Sequence, residues 1–586
     1  MVIIMNPNTK YLKKYLIKYR KPFFLALSVL ILETLGDLIQ PIIMSKIVDT
    51  GIKNGDINYV LKLGGLMLLL TFVGLLFAST RNIISTKASQ GFGADLREDL
   101  YIKIQRFSLD NVNEFQDASL ITRLTNDVNH MQNFSHGMMR VFVKAPVMGI
   151  GAIIMSFILN PKMGFILLAL VPIVGIITYF NFKLSYPLFK KMQKALDKVN
   201  GIMGEYLAGI RVVKAFNRFD YEEERFEKVN ENLKNTTLKG MRTIAIFGPL
   251  ISLCVNMGVV LVLWFGGYSV NMGNMEAGKI MALINYLTQL LFALVMMSRI
   301  LNMFIRAKAS AERVGEVFAA ENTIVEMDKP ISNVEIKEKI EFENVYFQYK
   351  GHCQPILEDI NFSLEKGETL GIIGSTGSGK STLINLVPRF YDPIKGSIKI
   401  DGIDIKDMKI EELRDKIAMV PQKTLLFTGT IKDNIKWGNE LATDEEIIEA
   451  AKIAEAHSFI TSFKEGYNTY LGQGGVNLSG GQKQRISIAR ALIKKPSILI
   501  LDDSTSAVDM ITERKIREGL KRYSKDTTVI LIAQRITSIM DADRILVMDK
   551  GRIVNKGNHN ELMNTSEIYQ DIYYSQIGKE DIVVGL

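Results

Sequence analysis

"KGETLGIIGSTGSGKSTLINLV" (366–387) passes from an apolar strand through a glycine-rich loop into a helical pattern. Its loop, "GSTGSGKS" (374–381), satisfies G-x-x-x-x-G-K-[ST] in the strand–loop–helix setting that such a loop requires. Gly374, Gly377 and Gly379, with Ser375, Thr376 and Ser378 between them, let backbone N–H groups close around phosphate oxygens. The helix that follows turns a partial positive charge toward the same anion. Lys380 is expected at the β- and γ-phosphates, Ser381 offers a hydroxyl to Mg2+, and Thr382 belongs to the same nucleotide-binding run. The implied fold of this half is a soluble α/β P-loop domain, with ATP and Mg2+ as its expected ligands.

Further along, the continuous apolar run "SILIL" (497–501) ends on two adjacent acids, Asp502 and Asp503. Asp502, at the strand end, is expected on the magnesium side of the phosphates. A phosphate loop and one such aspartate still leave kinases, GTPases and many ATPases open.

The rest of the chain narrows the choice. At 586 residues, length alone would allow three or four domains. Composition instead divides it in two, because the first 320 or so residues hold nearly all the long apolar runs. Six runs are long enough to cross a bilayer as helices: 23–44, 60–79, 141–159, 163–182, 245–270 and 281–305. The expected architecture is an all-α six-helix transmembrane domain at 1–326 and a nucleotide-binding domain at 327–586. "MDKPISN" (327–333) is the linker-like stretch between them.

Lys10, Lys13, Lys14, Lys18, Arg20 and Lys21 precede the first run without a small-residue cleavage site after it, which reads as an uncleaved, cytoplasmic N-terminus. Six spans from that start place the second half in the cytoplasm. About sixty residues separate spans two and three, and a similar stretch separates four and five. Both stretches carry charges at helical spacing, so the spanning helices are expected to continue into water. The formal charge of +9 could suggest nucleic acid, but its placement fits a membrane's inner face better, and the spans exclude a soluble nucleic-acid machine. Two cysteines, Cys254 and Cys353, give no disulfide framework and suit a reducing cytosol.

Within the first span, Glu33, Asp37 and Gln40 fall on one helical face. Acids at membrane depth face a polar interior or cavity. Two readings stay open for them: a substrate path that favours cations, or a contact to another helix.

"LSGGQKQR" (478–485) closes the alternatives left by the phosphate loop. With that loop and the "ILILDD" strand, it resembles the signature of ABC transporter nucleotide-binding domains. Six spans ahead of one such domain are similar to the half-transporter form of multidrug-type ABC exporters, and the likeness covers essentially the whole chain. The resemblance implies that Tyr349 stacks on adenine and that Gln422 joins magnesium to the membrane domain. It also implies that Leu478, Ser479, Gly480, Gly481 and Gln482 face the γ-phosphate of a partner's ATP, and that Asp509 lies on the loop crossing a dimer interface. Segments 115–127 and 213–221 resemble coupling helices. The implied activity is ATP-driven export of amphipathic or drug-like small molecules across the plasma (inner) membrane.

Two positions depart from that pattern in the hydrolytic half of the site. The family's usual general base, a glutamate, is Asp503 here, one methylene shorter and so roughly 1–1.5 Å short of the attacking water. Where the family usually has histidine, "LIAQRIT" (531–537) has Gln534, which has no titratable proton. Tyr470 and Gln473 also replace acids that are frequent in related exporters. A homodimer would carry the defect twice, so the expected partner is a different half-transporter with an intact glutamate and histidine. An active homodimer exporting lipid or peptide, and a nucleotide-gated channel or sensor, are the rival readings.

Overall fold

The computed structural model describes residues 9–327, 329–331, 339–523 and 527–577. Of the linker expected at 327–333, Asp328, Ser332 and Asn333 lie outside the described residues. The chain forms two compact units, Met1–Gln105 with Asp117–Ala320, and Arg106–Gln116 with Glu321–Leu586. This division differs from a single border at 326/327. The first unit ends at Ala320, and the short segment Arg106–Gln116 leaves the first unit to join the second.

The described residues of the first unit are all α. Among them, six helical stretches are long and apolar enough to cross a membrane: Leu12–Ile52, Ile57–Gln105, Asp117–Leu159, Pro161–Ala208, Phe219–Asn271 and Ala277–Met297. Each matches one expected apolar run, and most continue far beyond it; the last helix runs unbroken over Ala277–Ala319. The tight turn between spans three and four follows from "NPK". Asn160 caps the next helix by accepting from the N–H groups of Lys162 (3.0 Å) and Met163 (3.3 Å). Pro161, which has no N–H to lose, occupies the first helical position. Leu38, Leu167, Val262, Leu283 and Tyr286 pack in the core, and the Tyr286 hydroxyl donates to the Leu38 carbonyl at 2.6 Å. Leu68, Leu69, Phe72 and Trp264 are exposed, as side chains facing lipid would be.

The second unit is α/β. Its main sheet has six strands in the spatial order Arg552–Gly557, Arg544–Asp549, Thr369–Gly374, Thr528–Ile532, Ile498–Asp502 and Ile417–Val420. All pairings are parallel except that of the edge strand Arg552–Gly557. Ile498–Asp502 and Thr528–Ile532 are buried at every position, which explains why they read as unbroken apolar runs rather than alternating ones. A second, antiparallel sheet orders Leu357–Leu364, Ile340–Phe347, Lys395–Ile400 and Ile403–Asp404. In an open parallel sheet, ligands bind beyond the carboxyl ends of the strands. Four strands deliver Gly374, Gln422, Asp502 with Asp503, and Gln534 to that one edge.

Candidate functional site

The phosphate loop leaves the strand Thr369–Gly374 in a conformation that only glycine accepts easily. Gly377 and Gly379 have φ of 84° and 98°. A Cβ at Gly379 would stand 2.7 Å from Leu357 Cδ2, so this position is fixed by space as well as by backbone. The Lys380 ammonium donates to the carbonyls of Gly374 and Ser375, both at 2.8 Å, and so lies folded over the loop. Burial holds its pKa below the usual lysine range, against the pull of Asp502 and Asp503. Ser378 Oγ is buried without a partner, a donor that fits an incoming phosphate oxygen. Beside the loop, the Tyr349 hydroxyl meets Thr382 Oγ1 at 3.2 Å, and its ring stands edge-on to Phe347 and Tyr391.

Opposite the loop, Ser381 Oγ donates to Asp502 Oδ1 at 3.2 Å. Burial raises the Asp502 carboxyl above its ordinary range, with Ser381 opposing. A buried carboxylate, a hydroxyl and the nearby Gln422 amide form a hard oxygen set of the kind that takes Mg2+ together with phosphate oxygens. Asp503 begins the chain's exit from the strand. Its φ is 47°, its N–H donates to the Ile532 carbonyl at 2.9 Å, and its Oδ2 accepts from Gln534 Nε2 at 2.8 Å and from Gln422 Nε2 at 3.3 Å. Burial raises this carboxyl too, while the Gln422 hydrogen bond opposes the rise. Both unusual residues therefore touch each other.

The signature forms a separate surface of the same unit. Ser479 caps the helix Gly480–Leu492 through a reciprocal capping box with Gln482, at 3.3 Å and 2.9 Å. Its two glycines are constrained differently. A Cβ at Gly481 would press to 2.8 Å from the Ala507 carbonyl, whereas at Gly480 it would make ordinary 3.5 Å contact with Ala507 Cβ. Leu478 is buried beneath the cap. Asp509 accepts from the Thr512 N–H at 2.9 Å, which ties the loop before it, 503–509, to the next helix.

Two residues of this region escaped the sequence reading. Gln484 holds the loop 503–509 by accepting from the Ala507 N–H at 3.0 Å and donating to Ser506 Oγ at 3.2 Å. Glu513 is buried and accepts from Thr505 (3.2 Å), from Arg535 (3.1 Å) and from the Ser538 hydroxyl, so it links the loop 503–509 to the loop that carries Gln534. Its signal was an acid in register with Ile516 and Leu520 on the buried stripe of one helix.

The coupling expectations shift. The segment that joins the second unit is Arg106–Gln116, upstream of most of 115–127. There Glu114 pairs with Lys350 at 2.8 Å and Asn111 donates to the Glu321 carbonyl at 3.0 Å. Around 213–221, Val212, Phe216 and Tyr221 are exposed.

In the first unit, Glu33 is buried and its carboxylate pairs with Arg81 at 2.8 Å and Lys144 at 2.7 Å. Lys144 also reaches Asp37 at 2.9 Å, and Gln40 donates to Thr71 at 3.2 Å. All three expected residues line one cleft, but the acids there already have internal cationic partners.

An apolar six-helix unit joined to a P-loop unit that carries its own signature helix defines an ATP-powered membrane transporter. Comparison with known proteins agrees: residues 23–294 match the family described as ABC transporter transmembrane region, and residues 357–506 match the family described as ABC transporter. The chain is 42% identical to the Bacillus subtilis uncharacterized ABC transporter ATP-binding protein YfiB, over 96% of this chain and 98% of that one. It is 34% identical to an ATP-dependent lipid A-core flippase of Desulfotalea psychrophila, over 97% and 99%. It is 38% identical to a putative multidrug export ATP-binding/permease protein of Staphylococcus aureus, over 82% and 83%. Among solved structures, a bacterial Atm1-family ABC exporter with ATP bound superposes with a TM-score of 0.79 at 26% identity, covering 97% of this chain and 100% of that one. The chain belongs to the ABC transporter family, in its exporter form. It is an integral membrane protein with a cytoplasmic ATP-binding domain, and membership implies ATPase and translocase activity exerted as a dimer.

Proposed function

We propose that this chain is the weak-site half of a heterodimeric exporter for amphipathic small molecules. Its own site holds ATP and turns it over slowly, while its signature completes the active site of a different partner chain. The observation that carries this reading is the Asp503 carboxylate held between the Gln534 and Gln422 amides. A general base must reach the attacking water and take its proton. Asp503 is short for that reach, and its Oδ2 is already occupied by two donors. Gln534 can donate to a γ-phosphate but cannot carry a proton.

The binding half is complete by comparison. Lys380 needs only to leave two carbonyls to meet phosphate, and Tyr349 stands beside the loop as an adenine platform. Ser381 and Asp502, with Gln422, are the residues that would hold Mg2+, which when bound would neutralise charge on the β- and γ-phosphates. Ser479, with the first N–H groups of its helix, supplies donors for a partner's γ-phosphate, and Asp509 positions the loop between the two sites. The exposed apolar side chains around 213–221 support docking of that segment on the partner.

For cargo, the named relatives support amphipathic molecules. In this chain, the charge of Glu33 and Asp37 is balanced by Arg81 and Lys144, so we assign that group to joining helices rather than to selecting cations.

ATPase assay of the purified chain against its native complex tests the reading. The chain alone is expected to show no more than about a few per cent of the complex's rate, given that positioned acid–base groups contribute roughly 10²–10⁴-fold. Brisk magnesium-dependent turnover by the chain alone would instead support an active homodimer.

A further inference from the structure

We propose that Gln576, on the helix Glu567–Ile577, is a positioning residue for the γ-phosphate: it fixes the loop 533–538 so that the Gln534 amide distinguishes ATP from ADP. The proposal rests on the reading of Gln534 as a γ-phosphate donor and is independent of how fast the site hydrolyses. Ala533 and Ile536 anchor the loop in the core, whereas Gln534 is exposed and Arg535 half-buried between them. The aim of the Gln534 side chain therefore depends on how its own peptide is held.

Gln576 grips that peptide. Its Nε2 donates to the Gln534 carbonyl at 2.8 Å, and its Oε1 accepts from the Ile536 N–H at 2.7 Å. One side-chain amide thus pairs with the loop backbone as a residue of a parallel neighbouring strand would. On the site's side, Gln534 Nε2 donates to Asp503 Oδ2 at 2.8 Å, and the Gln534 backbone also bonds Asp503. Glu513 accepts from Arg535 at 3.1 Å and from the Ser538 hydroxyl. Two helices therefore hold the loop, and the tie from Gln576 falls on Gln534's own carbonyl.

The helix that carries Gln576 is set by packing and not by the glutamine. Tyr569 is buried, and Ile572, Tyr573 and Ile577 lie against the core, while Gln576 itself is exposed. An exposed side chain adds little to the stability of the core. Its removal should loosen the loop and leave the fold.

The consequence is specific to the nucleotide's terminal phosphate. A neutral donor gains a charged acceptor when ATP is bound and none when ADP is bound. Such a hydrogen bond is worth about tenfold or more in affinity. A donor on a loosened loop gives up part of that gain to ordering.

The test is photolabelling of the full-length native complex with 8-azido-ATP on ice, the label being read on this chain after electrophoresis. AMP-PNP and ADP, each with Mg2+, serve as competitors, so no turnover enters the readout. Gln576→Ala should weaken AMP-PNP about tenfold while ADP competes as before. Gln576→Glu keeps the size and the acceptor but turns a carboxylate oxygen toward the Gln534 carbonyl, and should lose the same preference. Gln534→Ala should show the loss too, and adding Gln576→Ala to it should change nothing further. Equal weakening of AMP-PNP and ADP, an unchanged preference in either Gln576 variant, or additive losses in the double variant would each overturn the proposal. An unchanged preference in Gln534→Ala would overturn it together with the γ-phosphate reading of Gln534. Brisk turnover by the chain alone, which contradicts the weak-site reading, would leave this result standing. If Gln576→Ala fails to assemble, Gln576→Glu decides.

Discussion

Asp503 is the residue on which the proposed weak site turns. Its backbone sits at φ 47°, a left-handed conformation that aspartate tolerates better than most side chains. Asp503→Glu alone would therefore lengthen the side chain on a backbone less suited to it, and would still leave Gln534 without a proton to exchange. The paired change Asp503→Glu with Gln534→His supplies both missing functions. Measured as single-turnover hydrolysis at this chain's own site, with the partner's site silenced by Gly480→Asp, the pair should raise the rate by about 10²-fold or more. No gain from the pair would place the block elsewhere. At this scale the sequence was legible wherever chemistry dictates residue type, as in 374–382 and Asp502. The contact of Asp503 with Gln534 and Gln422 was not, because those residues are 31 and 81 positions away, just past the ends of neighbouring strands.

Elements were legible in proportion to their period. The six apolar runs announce six helices because a bilayer demands uninterrupted apolar length. The strand Ile498–Asp502 announces itself because a doubly covered strand has no polar face. The helix Leu109–Phe115, however, is seven residues of mixed character, and nothing in its pattern says that it belongs with the second unit. The acids of the first span were half legible: their shared face was visible, but Arg81 and Lys144 come from helices 48 and 111 residues on. This buried group makes an element-scale prediction. Glu33→Gln leaves the buried Arg81 without its acid, while Lys144 keeps Asp37, and should cost about 3–5 kcal/mol, the usual penalty for breaking a buried pair from one side. Adding Arg81→Gln should recover part of the loss in thermal unfolding of the complex. Equal stability of the single variant and the unaltered chain would mean the group is wet and free to serve substrate.

For the whole molecule, the proposed heterodimer has two surfaces of one chain serve two different sites. The loop, Asp503 and Gln534 would build the weak one, and Ser479 and Gly480 would serve the partner's strong one. Gly480 permits a clean test, because a side chain there meets Ala507 at ordinary contact distance rather than clashing, as it would at Gly481. Gly480→Asp therefore changes what docks on the helix more than the helix itself. It places a carboxylate where the partner's γ-phosphate must lie, and losing preorganised donors at such a phosphate costs on the order of 3–4 kcal/mol, or roughly 10²–10³-fold in rate. Gln534→Ala removes a group that cannot exchange protons and should change turnover little. The deciding measurement is steady-state ATPase of the two variant complexes, with assembly checked by gel filtration. The account predicts collapse for Gly480→Asp and near-normal turnover for Gln534→Ala; equal losses from both would mean that the two sites are equivalent and the division of roles is wrong.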